Sequence, residues 1–156
     1  MRSRQEVIKE VFEIHGSNSL YITSTGYISR IIFSLYPSNT NIFYMQGSMG
    51  LSPAIALGLA LSTKQDVVSF VGDASLLMHL GITHTIRDYN LSNLFIYVLD
   101  NGCHESVGCQ SCSVLEKTYP GIEKIYKINK EGKSPRVLLS CLKNKTDFMT
   151  MVFDEK

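Results

Sequence analysis

Short apolar runs alternate with segments of helical periodicity through most of the chain. Residues 67–71 carry Val67, Val68, Phe70 and Val71 between Asp66 and Gly72, and residues 93–99 form a second run from Leu94 to Leu99. Both are short, rich in β-branched or aromatic residues and bounded by turn formers, the pattern of buried strands. Residues 20–23 and 41–45 read the same way. Between them, residues 6–15 repeat apolar positions at Val7, Ile8, Val11 and Phe12, and residues 27–36 do so at Ile28, Ile31, Ile32 and Leu35 until Pro37 stops the helix.

Ser52 as N-cap and Pro53 at the first helical position predict a helix over 54–61, apolar nearly all round and therefore buried. Residues 75–89, with Leu76, Leu77, Leu80 and Ile86, predict the helix that joins the two central strands. Beyond Cys112 the pattern thins to a helical turn over 114–118, a strand over 122–128, a helix over 134–142 and a last strand over 148–153. Alternating strands and helices predict an α/β fold, a parallel sheet with helices on both faces. At 156 residues, with no repeat or linker, the expectation is a single domain over 1–156.

The ends of the two central strands carry candidate chemistry. One closes in Gly72-Asp73-Ala74-Ser75 and the other in Asp100-Asn101-Gly102. Parallel strands joined by a helix bring Asp73 and Asn101 to one sheet edge, where open α/β sheets bind ligands. A carboxylate and an amide oxygen are hard ligands, suited to a magnesium ion that keeps positions for phosphate oxygens and water. The helix start after Ala74 offers free N–H groups to an anion. Together they describe a site for magnesium and a diphosphate, although either turn alone is also an ordinary strand-ending turn.

A formal charge of +1 gives no reason to expect nucleic acid or an anionic membrane as partner. The longest apolar stretch, 54–61, is far too short to span a bilayer, and the first residues run into a charged helical pattern without a signal-peptide core. The expectation is a cytoplasmic protein. Three of the four cysteines, Cys103, Cys109 and Cys112, lie close together. Cys109 and Cys112 have the spacing of a redox pair or half a zinc site, but free, reduced thiols are the expectation. His79 and His84 are expected to be ordinary helix histidines.

Gly72-Asp73-Ala74, followed after a helix and a strand by Asp100-Asn101, resembles the signature of the thiamine diphosphate (ThDP) enzymes, Gly-Asp-Gly and then Asn-Asn. Ala74 and Asp100 depart from it, and neither is a metal ligand by that resemblance. With Ser24-Thr25-Gly26, Gly47-Ser48-Met49-Gly50 and the run from His104 to Gln110, the chain up to about Gln110 is similar to phosphonopyruvate decarboxylases and their relatives, the sulfopyruvate decarboxylases. The His104 run favours the phosphonate enzymes. Ser111 and Cys112, where that family usually has Pro-Thr, depart from it.

The resemblance implies the ThDP-binding fold, with Asp73, Asn101 and the Cys103 carbonyl holding magnesium. It implies that Gly72, Ala74 and Ser75 line the cofactor turn, that Thr25 and Gly26 reach the diphosphate, that Gly47 offers its backbone to the aminopyrimidine, and that Ser48 beside it belongs to the cofactor site. Met49 would then shape the cofactor from below, where sequence alone allows an ordinary core methionine. His104 and Glu105 would face the substrate, His104 as proton donor or phosphonate ligand. The implied reaction is cofactor-based decarboxylation of a small 2-keto acid, phosphonopyruvate to phosphonoacetaldehyde and carbon dioxide, with sulfopyruvate as the alternative. The family's pyrimidine-binding domain has no counterpart in this sequence, so the expectation is a diphosphate-binding subunit in a hetero-oligomer with a pyrimidine-domain partner. The rival is a non-catalytic, degenerate ThDP-binding module, for which Ala74, Asp100 and the short tail speak.

Overall fold

The computed structural model describes residues 1–153, so residues 154–156 of the expected domain lie outside it. Helix α1 (Arg4–His15) starts in a capping box, in which the Ser3 hydroxyl accepts from the Glu6 N–H and the Glu6 carboxylate accepts from the Ser3 N–H. There follow β1 (Leu20–Thr23), α2 (Tyr27–Leu35), β2 (Ile42–Tyr44), α3 (Ser52–Ala60), β3 (Val67–Gly72), α4 (Asp73–Met78), α5 (Ile82–Tyr89) and β4 (Leu94–Asp100). A small hairpin of β5 (Cys103–His104) and β6 (Gln110–Ser111) encloses a 3₁₀ turn, Glu105–Val107, and β7 (Lys124–Lys127) and α6 (Cys141–Phe153) complete the chain.

Five strands form one parallel sheet in the order β2-β1-β3-β4-β7. Alternation along the strands divides the core. Tyr21, Val68, Phe70, Tyr97 and Leu99 face α1 and α2, whereas Leu20, Ile22, Val67, Val71, Ile96 and Val98 face α3, α5 and α6. The predicted α/β architecture, helices on both faces of a parallel sheet, is the one observed. Strands β1, β3 and β4 lie side by side, so the turns that follow them open at one edge.

Several predicted elements are corrected. Ser52 is not the N-cap: α3 begins one residue earlier than that, with Leu51 as cap, and the buried Ser52 hydroxyl donates to the Phe70 carbonyl at 3.3 Å. Its hydrogen bond joins the helix to the sheet. The crossover helix over 75–89 breaks into α4 and α5 at His79, whose ψ of 42° is non-helical. Gly50 packs against this break, and a Cβ there would lie 2.7 Å from both the Ser75 carbonyl and the His79 ring. That close approach brings the Met49 loop to the start of α4.

The tail differs most. Residues 148–153 are helix, part of α6, and residues 134–139 are irregular where a helix was expected. Asn144, Phe148 and Val152 recur at helical spacing and pack inward, which outweighs the apolar run as a strand signal. Asn144 also covers the edge of the sheet, accepting from the Tyr44 N–H at 2.9 Å and donating to the Ile42 carbonyl at 2.8 Å. Residues 114–118 form no helical turn, and Leu115 is their buried anchor. The strand expected over 122–128 is the shorter β7.

Candidate active site

A cavity of about 350 Å³ opens at the carboxyl edge of β1, β3 and β4. Thr25 and Gly26 reach it from the turn after β1, and Met49 from the loop before α3. Gly72, Asp73, Ala74 and Ser75 line it at the β3–α4 junction, and Asn101, Cys103, His104 and Glu105 after β4. Gly47 and Ser48, expected beside them, are exposed in the Met49 loop and lie outside the lining.

Short contacts hold the loops together. The buried Ser24 hydroxyl donates to Ser75 Oγ at 3.1 Å, tying the first turn to the third. Gly26, at φ +80°, has Ser106 Oγ 3.1 Å from where a Cβ would stand, so a larger residue would push the His104–Val107 loop away.

Asp73 is buried, and its Oδ2 accepts from the Gly102 N–H at 2.9 Å and from the Cys112 thiol at 3.0 Å. Burial, then the bond to Asp73, pushes the Cys112 thiol up to about 12, so it stays protonated as a donor. Asp100, also buried, pairs with Lys127 and accepts from the Gly102 N–H at 3.1 Å. The carboxylate that departs from the family signature is thus neutralised by a lysine of β7.

The Asn101 amide is oriented by its neighbour. Asn101 Nδ2 donates to Glu105 Oε2 at 2.7 Å, and since a carboxylate only accepts, the amide oxygen must face the other way. Glu105 in turn accepts from Arg4 Nη2 at 2.6 Å, and its Oε1 accepts from the Glu131 and Gly132 N–H groups at 2.8 and 2.9 Å. Burial raises its pKa, but the bonds from Gly132, Arg4 and Glu131 outweigh that and hold the carboxyl below the usual range. Both oxygens are engaged, so the arrangement offers a fixed anion where a substrate-facing acid was expected. A buried carboxylate and an oriented amide oxygen on one cavity are a donor set suited to a hard divalent cation. That set differs from a cage of acidic, histidine or cysteine side chains, and among the described residues no group of three or more of these is placed to hold a metal.

The free-thiol expectation is corrected for two of the cysteines. Cys103 and Cys109 form a disulfide, because the β5–β6 hairpin brings their Cα atoms to 5.0 Å, within bridging distance. Cys112 and Cys141 are free.

Arg4 and Arg136 line the same cavity without any local motif that marks them, and Tyr27 and Arg30 line it beside Thr25 and Gly26. A basic residue in the first turn of a helix that follows such a turn was the available signal for Arg30.

The sequence and the fold have known relatives. Residues 23–152 match the thiamine pyrophosphate enzyme, C-terminal TPP-binding domain family, and the chain belongs to that family. Among particular relatives, it is 35% identical over 124 residues to the sulfopyruvate decarboxylase subunit beta of Methanocaldococcus jannaschii, a match covering 80% of this chain and 64% of that one. The corresponding subunit of Methanococcus maripaludis is 32% identical over 150 residues, 92% of this chain and 80% of the relative. The phosphonopyruvate decarboxylase of Streptomyces viridochromogenes is 42% identical over 89 residues, 57% of this chain but 22% of the relative. The fold is that of the ThDP enzymes: a solved structure described as that of a thiamin diphosphate-dependent enzyme from Mycobacterium smegmatis superposes with a TM-score of 0.63 over 74% of this chain and 24% of that one, at 19% identity. Among the described residues no helix is long and apolar enough to cross a membrane.

Proposed function

We propose that this chain is the diphosphate-binding subunit of a split, ThDP- and magnesium-dependent 2-keto acid decarboxylase, acting in the cytoplasm with a pyrimidine-domain partner. The observation that carries the reading is the meeting of Asp73 and Asn101 on one cavity with Thr25, Gly26 and Met49. The family membership and the relatives named as decarboxylase subunits support it.

The residues present fit the cofactor. Asp73, Asn101 and the Cys103 carbonyl would hold the metal, and Gly72, Ala74, Ser75, Thr25 and Gly26 would form the cradle for the diphosphate. Bound ThDP supplies the nucleophile and electron sink that loss of carbon dioxide requires. Met49, which lines the same cavity, would contact it. Gly47 and Ser48 border the pyrimidine end, and their exposure suits groups that the partner covers. His104 faces the substrate as proton donor or oxyanion ligand, and Glu105 acts through Asn101 and Arg4.

The substrate is a three-carbon 2-keto acid with a phosphonate or sulfonate on C3. The run from His104 to Gln110 favours phosphonopyruvate, and the relatives matched over most of this chain favour sulfopyruvate. The rival, a degenerate module, loses one support in the Asp100–Lys127 pair, which cancels the extra charge. Calorimetric titration with ThDP of the chain assembled with its partner separates the two: binding that requires magnesium and disappears in Asp73→Ala supports a working site, and no binding with magnesium present contradicts it.

A further inference from the structure

The charges lining the cavity do not balance within the chain. Glu105 is matched by Arg4, and Asp73 and the diphosphate face the cation that they are proposed to hold between them. Arg30 and Arg136 line the same cavity, and among the described residues neither has a carboxylate within ion-pair distance. Their positions are coupled, because Arg30 Nη1 donates to the Ser134 carbonyl at 3.2 Å, which holds the segment bearing Arg136 against α2. The Tyr27 ring supports the Arg30 guanidinium from 5.1 Å and that of Arg4 from 5.9 Å, limiting the planes they adopt. Arg4 Nε is buried without a hydrogen-bond partner, a further donor left unused at this wall.

We propose that Arg30 and Arg136 form the subsite for the tetrahedral oxyanion of the substrate, the phosphonate or sulfonate group on C3, distinct from the diphosphate cradle. A guanidinium fork matches two oxygens of such a group, and two of them select it over the neutral methyl of pyruvate. Tyr27 is a positioning residue that keeps Arg30 in its plane. The substrate named here rests on the decarboxylase reading, but the oxyanion subsite can be tested without turnover.

The test titrates this chain, with and without magnesium and ThDP, with phosphonoacetate, using sulfoacetate as second probe and acetate as control. Phosphonoacetate is expected to bind and acetate not. Arg30→Gln weakens phosphonoacetate binding about tenfold and Arg136→Gln several-fold, the loss expected for hydrogen bonds to a charged group. Arg30→Lys retains part of the affinity, and ThDP affinity changes less than about threefold in each variant. Arg136 is exposed, so its replacement tests the subsite without threatening the fold. The proposal is overturned if the wild-type chain ignores phosphonoacetate, if neither glutamine variant weakens it, or if the variants weaken ThDP by the same factor, which would give the arginines to the diphosphate. Phosphonoacetate binding that depends on the arginines, with no ThDP binding even by the chain assembled with its partner, would sustain the subsite and sink the decarboxylase reading instead.

Discussion

Asn101 donates its amide hydrogen to Glu105 at 2.7 Å, and Glu105 is held in turn by Arg4 at 2.6 Å. This chain of contacts fixes which way a candidate metal ligand faces, through Arg4, which lies 101 positions from Glu105 in sequence. Glu105→Gln keeps the shape but lets either end of two amides face each other. Magnesium-dependent ThDP affinity is expected to fall roughly tenfold, and stability by about 2 kcal/mol as the buried Arg4 loses a charged partner. Calorimetric titration and urea unfolding of the variant check both, and an unchanged ThDP affinity would show that Glu105 does not orient Asn101.

The Lys127–Asp100 pair lends itself to a double-mutant cycle. Asp100 is 5% exposed, so Lys127→Met strands a buried carboxylate and is expected to cost about 1–3 kcal/mol. Adding Asp100→Asn removes the stranded charge and should recover most of the loss. Equal, additive losses in urea unfolding would mean that the pair contributes nothing.

The sheet and the turns that bring Asp73 and Asn101 to one cavity were legible in the sequence because both are local. Residues 67–71 and 93–99 announce buried strands by composition, and their closing turns carry Asp73 and Asn101. The tail was not legible, because Asn144 puts a polar residue on the buried face of α6 and hides its helical spacing. The Arg4–Glu105 contact had no local signal at all. Among the cysteines, spacing pointed to Cys109 and Cys112, whereas the turn of the hairpin faces Cys109 toward Cys103.

Thiol accessibility tests that hairpin. Without reductant, alkylation should mark the exposed Cys141 first and Cys112 slowly, since its thiol is pushed up to about 12. Cys103 and Cys109 should be modified only after reduction. Peptide mass spectrometry that found all four labelled equally without reductant would contradict the bridge.

Acid should weaken the fold through identifiable carboxylates. Glu10, which accepts from the Tyr126 hydroxyl at 2.6 Å and pairs with Arg2, has its pKa lowered from the ordinary 4.5, first by that hydroxyl. Glu105 is lowered from the same value by the bonds described above. With folded-state values below 4.5, the unfolded chain binds more protons in this window, so these contributions are complete above about 4.5 and fade as pH falls through the lowered values. Urea midpoints from pH 7 to 3 should drop in that range, and a Glu10→Gln, Glu105→Gln double variant should show a shallower drop. An equally steep drop in the variant would assign acid lability to other groups.

Carbon dioxide release from phosphonopyruvate and from sulfopyruvate, with magnesium and ThDP, tests the central claim most directly when the chain is assayed alone and co-expressed with a pyrimidine-domain partner. Release by the pair, absent from the chain alone and lost in Asp73→Ala, is the predicted result. Full activity of the chain alone, or none from a pair shown to assemble and to bind ThDP, would contradict a split decarboxylase acting on either acid.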